Sequence, residues 1–418
     1  MELKPGYKQT EVGVIPEDWD VKPLSMLPCE AIDCHYSTPI WKESGELVIR
    51  NQNIRDGRLS LEAPSYTGEN NFQERTRRAV PRHPDLVITR EAPMGEVCMI
   101  PVGLKCCLGQ RMVLLRIQSD NVDASYVLHA LQSQSSRCFI GSVGGTGSTV
   151  GNIRIPILKS LPVALPEFVE QTNISAALDD INTLIIKLER LIAKKHDIKQ
   201  AAMQELLTGK RRLPGFEGEW VVKRLKQLAE ISTGINKPLS EMGSGALYVT
   251  VQDLYDKTSI RTDRLSRIKV SAGEIETRSL TKGDIVFGKS SVKRDGIGYP
   301  SQFFGCSEPV VFSGFTYRAR ALRGIADPTF LFYALRAEKT RRWLIDNSQA
   351  SALTNINQKI ADSIPISVPP CLLEQTAIAA IISEMDAELF VLEARRGKAH
   401  ELKQGMMQQL LTGKIRLS

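Results

Sequence analysis

Apolar residues recur at spacings of three and four along two stretches of this 418-residue chain. Between residues 170 and 213 the series runs Ile174, Leu178, Ile181, Ile185, Leu188, Ile198, Ala202 and Leu206. Between 374 and 417 it runs Ile378, Ile382, Met385, Leu389, Leu392, Leu402, Met406 and Leu410. Such spacing lines up one face of an α-helix, and here it persists for about five heptads. Pro166 stands ahead of the first stretch, and Pro369 and Pro370 ahead of the second, where a missing N–H costs a helix nothing. Gly209 and Gly413 each follow Leu-Leu-Thr, the expected C-terminal stop. The pattern predicts two helices of about 37 residues, roughly 55 Å each.

The two stretches are copies. Residues 170–213 and 374–417 align without a gap at an offset of 204, and 20 of the 44 positions are identical. Weaker anchors extend the repeat: 19–24 matches 220–225, 49–54 matches 249–254, 84–88 matches 283–287, and Asn152 and Ile153 match Asn355 and Ile356. A period near 200 is far beyond a solenoid unit of roughly 20–50 residues. It marks a duplicated module, a globular domain followed by a long helix. Between the anchors the globular parts diverge, mixing short β-branched runs, Gly/Pro turns and one amphipathic helix each.

So wide a stripe must be buried, and the other copy is its economical partner. A parallel pair would oblige the second domain to carry the chain back along the full helix, whereas an antiparallel pair does not. The expected fold is therefore α+β. Two globular α/β domains, 1–160 and 214–363, are separated by two long antiparallel helices, 161–213 and 364–418, in an intramolecular coiled coil with a pseudo-twofold internal repeat.

Composition narrows the function only slightly. A formal charge of +7 suits a polyanionic partner without requiring one. The eight cysteines are scattered with no CxxC pair, as expected of reduced cytoplasmic thiols rather than disulfides or a metal site. The first residues lack an apolar core, and no run of about 18 apolar residues occurs, so neither a secretory signal nor a membrane span is expected.

Catalytic signatures are thin. Gly283–Ser290 fits G-x-x-x-x-G-K-[ST], but its middle residues Asp-Ile-Val-Phe read as a strand rather than an open phosphate loop. His196 and His400 recur on the helix surfaces and carry no expected chemistry. The glycine-rich run 141–151 reads as a flexible loop. No adenine-methyltransferase or metal-nuclease pattern accompanies them, so no catalytic residue, metal or cofactor is expected on this chain.

What remains is polar and basic chemistry at matched positions of two divergent domains. The first offers Arg50, Asn51, Gln52, Asn53, Arg90, Glu91 and Asn152. The second offers Thr250, Gln252, Asp253, Lys289, Ser290, Ser291, Lys293, Arg294 and Asn355. Arg, Asn, Gln and Asp carry the forks that read base edges, while Ser, Thr and Lys commonly take phosphate. Matched positions with changed side chains point to recognition of DNA.

These features together resemble the DNA-specificity (S) subunit of type I restriction–modification systems. The carriers are the Ile-Pro-Glu-Asp-Trp start, the strand ending in Thr89 and Arg90, the Asn-Ile segments, and Pro-x-x-x-x-Glu-Gln…Leu-Leu-Thr-Gly-Lys in both helices. The resemblance implies two target-recognition domains, each reading half of a split double-stranded DNA site, with the helices setting the spacer. It further implies two modification (methyltransferase) subunits docked on those helices and restriction subunits joining through them. S-adenosylmethionine, and ATP with Mg where a restriction subunit is present, would then belong to the partners. The rival expectation is a protein-interaction scaffold with incidental DNA binding.

Overall fold

The computed structural model describes residues 5–143, 152–254, 259–350 and 353–417, so most of the glycine-rich run, 144–151, lies outside the described residues. Two compact units divide the chain: Met1–Glu189 with Ala394–Ser418, and Arg190–Glu393. The long helices span Phe168–Leu206 and Leu372–Leu410. Each gives its first half to one unit and its second half to the other, a division that cuts across the four segments expected from the repeat.

In the first unit an antiparallel sheet runs in the order Val97–Met99, Leu86–Thr89, Met112–Ile117, Cys29–Asp33. Its centre is apolar on both faces. Leu86, Ile88, Val113 and Leu115 face the helix Ala124–Gln132 and the long helices. Val87 and Leu114 face a second core with Ile49, Cys98 and Cys106. A strand buried on both sides reads as a continuous apolar run, which is why LVIT and MVLLRI lack alternation. A second sheet holds Cys106–Leu108 parallel to Glu46–Ile49.

The other unit repeats this plan. Its sheet runs Ala229–Thr233, Thr316–Ala321, Ile285–Gly288, Pro300–Gln302, and its second sheet sets Val310–Phe312 parallel to Met242–Val249. In both units a buried carboxylate stands just ahead of the central strand. Asp85 accepts from Arg116 at 2.9 and 2.6 Å, and Asp284 from Arg320 at 2.8 and 2.7 Å. Within Gly283–Ser290, then, the aspartate is a sheet anchor and residues 285–288 are a strand, which leaves no phosphate loop.

Within each unit the start of one long helix packs antiparallel against the end of the other. Ile174 and Leu178 share a core with Met406, Met407, Leu410 and Leu411. Ile378 and Ile382 share one with Ala202, Met203, Leu206 and Leu207. The repeated Glu-Gln and Gly-Lys-x-Arg segments close these ends. Arg416 grips Glu170 through two hydrogen bonds of 2.7 and 2.8 Å and also reaches Asp18. Arg212 grips Glu374 with the same two distances. Glu170 and Glu374 are buried, so each needs its guanidinium. Gly209 and Gly413 reach these positions with φ of 72° and 63°, where an added Cβ would strike Trp220 or Pro16. Gln171 and Gln375 hold the backbone N–H of Asp123 and Asp327, the residues that cap the amphipathic helices.

The apolar stripe departs from expectation at one repeated position. Ile198 and Leu402 are 43% and 57% exposed. Their neighbours turn inward instead: Lys199 pairs with Asp386, and burial lowers the pKa of Lys403. An α-helix drifts by about 20° per heptad against a 3.5-residue repeat, which carries a long stripe off its seam.

Candidate nucleic-acid interface

Three segments converge at the same place in each unit, and single hydrogen bonds fix the correspondence. The first is a one-turn helix directly after a buried parallel strand, Asn51–Asn53 in one unit and Val251–Asp253 in the other. Its last side chain folds back to cap it: Asn53 Oδ1 accepts from Arg50 N at 2.9 Å, and Asp253 Oδ2 from Thr250 N at 2.8 Å. The second is the connector between the two sheets, 109–111 or 313–315. Gly109 N donates to Ile49 O at 2.7 Å and Ser313 N to Val249 O at 2.9 Å. The third is the end of the central strand. There Arg90 N donates to Arg111 O at 3.0 Å, and Lys289 N to Phe315 O at 2.9 Å.

In the first unit these segments line a cavity of about 380 Å³ that includes Trp41, Arg50, Asn51, Gln52, Glu91 and Arg111. The Arg50 guanidinium lies 4.8 Å from the Trp41 ring centroid, a stacking that holds a flexible side chain in one orientation. Arg111 pairs with Glu91. Asn51 donates to Glu91 O at 3.4 Å, while its Oδ1 is buried without a partner among the described residues. Gln52 is exposed. The cavity is therefore lined by the Arg50 and Arg111 guanidinium groups, the Gln52 amide and the Trp41 ring.

The expected site residues divide accordingly. Arg50, Asn51, Gln52 and Glu91 come together in the cavity. Asn53 does not: it is 2% exposed, and its amide also donates to Ser60 O at 3.0 Å. Its role is to cap the turn that displays Gln52, and Asp253 does the same beneath exposed Gln252. Thr250 is drawn into that cap through its hydroxyl. Ser291 is buried at 5% and paired in a short strand with Thr354, and Ser290 with Asn355.

Arg90 and Lys289 also turn inward rather than outward. Arg90 binds Asp33 at 3.1 Å and Ile153 O at 2.8 Å, while Ile153 N returns to Arg90 O. Lys289 Nζ donates to Thr233 Oγ1 and Gly314 O, both at 2.7 Å, and lies over the Tyr317 ring; burial lowers its pKa. Both stitch the Asn-Ile segment to the sheet, since Ile356 N donates to Lys289 O at 2.9 Å. Asn152, Lys293 and Arg294 are exposed.

Sequence reasoning missed Trp41, Arg111 and Phe315. The last two were within reach. They precede the matched strands 112–117 and 316–321 at the same offset of 204 as the helices. His196 and His400 lie beside Glu393 and Glu189 on exposed helix faces, at 3.4 and 3.7 Å.

Known proteins resemble this chain. The family model described as type I restriction modification DNA specificity domain matches residues 41–200 and 217–403. A putative type I restriction enzyme MjaX specificity subunit from Methanocaldococcus jannaschii is 24% identical, with 98% of this chain and 97% of that protein covered. The MjaVIII specificity subunit of the same organism is 24% identical across 50% of this chain and 49% of its own length. Among solved structures, the type I restriction-modification S subunit from M. genitalium shares the fold with a TM-score of 0.63, 13% identity and 98% of both chains covered. A structure from work on assembly and conformational transition of the type I R-M system gives a TM-score of 0.56 at 15% identity, covering 96% of this chain and 99% of that one.

Proposed function

The chain belongs to the type I restriction modification DNA specificity family, as a recognition subunit rather than a catalyst, and we propose that its two units read the two halves of a bipartite double-stranded DNA target. The observation that carries this reading is the pair of matched turns. Equivalent backbone capping holds Arg50, Asn51 and Gln52 in one unit and Thr250, Val251 and Gln252 in the other, with Thr250 turned into its own cap. A scaffold conserved to single hydrogen bonds, with its displayed side chains exchanged, is what two readers of different sequences require. The recognition domains are 1–160 and 214–363. The cavity of the first reads base edges through Arg50, Asn51 and Gln52. The second works through Gln252, with Lys293 and Arg294 on phosphate. Arg90, Lys289, Asn53 and Asp253 position these readers from beneath.

The long helices run without a break from one unit into the other and fix the spacer between half-sites. They also dock two modification subunits. Ile198 and Leu402, exposed at the same repeat position of each helix, would give two copies of one partner equivalent contacts. Where a restriction subunit is present, it joins through those partners. S-adenosylmethionine, and in that case ATP with Mg, are bound by the partners and not by this chain. No described helix is long and apolar enough to cross a membrane, and a complex acting on DNA in this way would work in the cytoplasm.

The test is competition. With its modification partners, the chain should hold a labelled cognate duplex against random DNA with at least about a thousand-fold preference. Equal competition by random DNA would leave the scaffold reading instead.

A further inference from the structure

In the first unit, the residue just before the strand 112–117 is Arg111, whose exposed side chain lines the cavity. In the second, the residue at the same point before the strand 316–321 is Phe315, and its side chain is 63% exposed. The two are equivalent by backbone as well as by offset. The carbonyl of each accepts the N–H of the inward-turned cation, Arg90 or Lys289, at 3.0 and 2.9 Å.

The backbone hydrogen bond from Lys289 ties Phe315 to the segment that follows Lys289. Val292, 85% exposed, follows the short strand of Ser290 and Ser291, and Leu353, 43% exposed, precedes the strand that pairs with it. Lys293 and Arg294 follow at once and are exposed. Exposed apolar residues and cations carried on these backbone-linked segments suit a groove whose walls are phosphate and whose floor carries a methyl group. In the major groove of DNA only thymine offers that, through its 5-methyl.

We propose that Phe315 is a specificity-determining residue of the second unit, reading its half-site by apolar contact with the 5-methyl group of a thymine, where the first unit presents Arg111. This rests on the DNA-reading function given above. The two units then differ in kind: one reads by charge and amide forks, the other partly by shape and apolar contact.

The experiment uses the chain assembled with its modification partners and duplexes carrying its methylated target. Each thymine of the half-site read by the second unit is replaced in turn by uracil, which removes the methyl group alone. One replacement should weaken binding by the wild-type complex about four-fold, the loss expected for one buried methyl. In Phe315→Ala the cognate duplex should bind at least as weakly as that, and the same replacement should have no further effect. Phe315→Leu should restore part of the thymine preference. Uracil in the other half-site should act alike on all three proteins. An unchanged thymine-over-uracil ratio in Phe315→Ala, or a half-site without thymine on either strand, overturns the role of Phe315 while leaving bipartite recognition intact. A complex with no bipartite preference at all overturns both.

Discussion

The turn at 50–53 and the turn at 250–253 are the same object built twice, yet they display different chemistry. Each follows a buried parallel strand, and each is closed by a side chain three residues on, Asn53 or Asp253. Above that shared base one unit sets Arg50, stacked on Trp41, beside Asn51, while the other draws Thr250 into the cap and leaves Val251 and Gln252 above it. The connector repeats the lesson with Arg111 against Phe315. On the proposed reading, stability and specificity belong to different layers. Caps and ion pairs hold the backbone, while the side chains above them differ between the units.

The same contrast runs through the clasps, and breaking one should give the largest effect. Arg212→Ala removes the main partner of Glu374, a carboxylate with no exposure, and should cost about 3 kcal/mol of stability in denaturant unfolding. The matching Arg416→Ala should cost less, because Glu170 keeps a 3.1 Å hydrogen bond from Trp19 Nε1. In the second unit Trp220 Nε1 is buried without a partner among the described residues, so it gives Glu374 no such support. Equal losses of stability in the two variants would show that the tryptophan hydrogen bond contributes nothing.

A smaller effect should separate phosphate binding from base reading. Replacing Lys293 and Arg294 together by alanine should weaken binding to every sequence alike. It should also reduce the slope of log affinity against log salt by about two, one for each phosphate no longer neutralised. A change in sequence preference with an unaltered slope would move both residues onto base edges.

How much of this was legible in the chain depends on distance. The helices, their glycine stops and the duplication are local or offset by a constant, and the spacing of Ile174, Leu178 and Ile181 carries them openly. The function of the Glu-Gln and Gly-Lys-x-Arg motifs was hidden, since Glu170 finds Arg416 across 246 positions of sequence. Ile198 and Leu402 defeated the periodic reading because helical drift brings their lysine neighbours into the seam. The candidate site was legible as a neighbourhood but not as a set of roles. Strand-end residues Arg90 and Lys289 look outward in a linear text, and only the sheet shows that Asp33, Thr233 and the Asn-Ile segments claim them. Phe315 escaped because an apolar residue before a strand reads as core.

The most direct measurement transplants one turn onto the other. The double variant Arg50→Thr and Asn51→Val gives the first unit the displayed residues of the second, above an unchanged Asn53 cap. Sequencing of methylated adenines in cells expressing this variant with its modification partners should show one half of the target relaxed or altered, and the other half and the spacer unchanged. An unaltered target, or simultaneous loss of both halves in a chain that still folds and assembles, would rule out half-site reading by these turns.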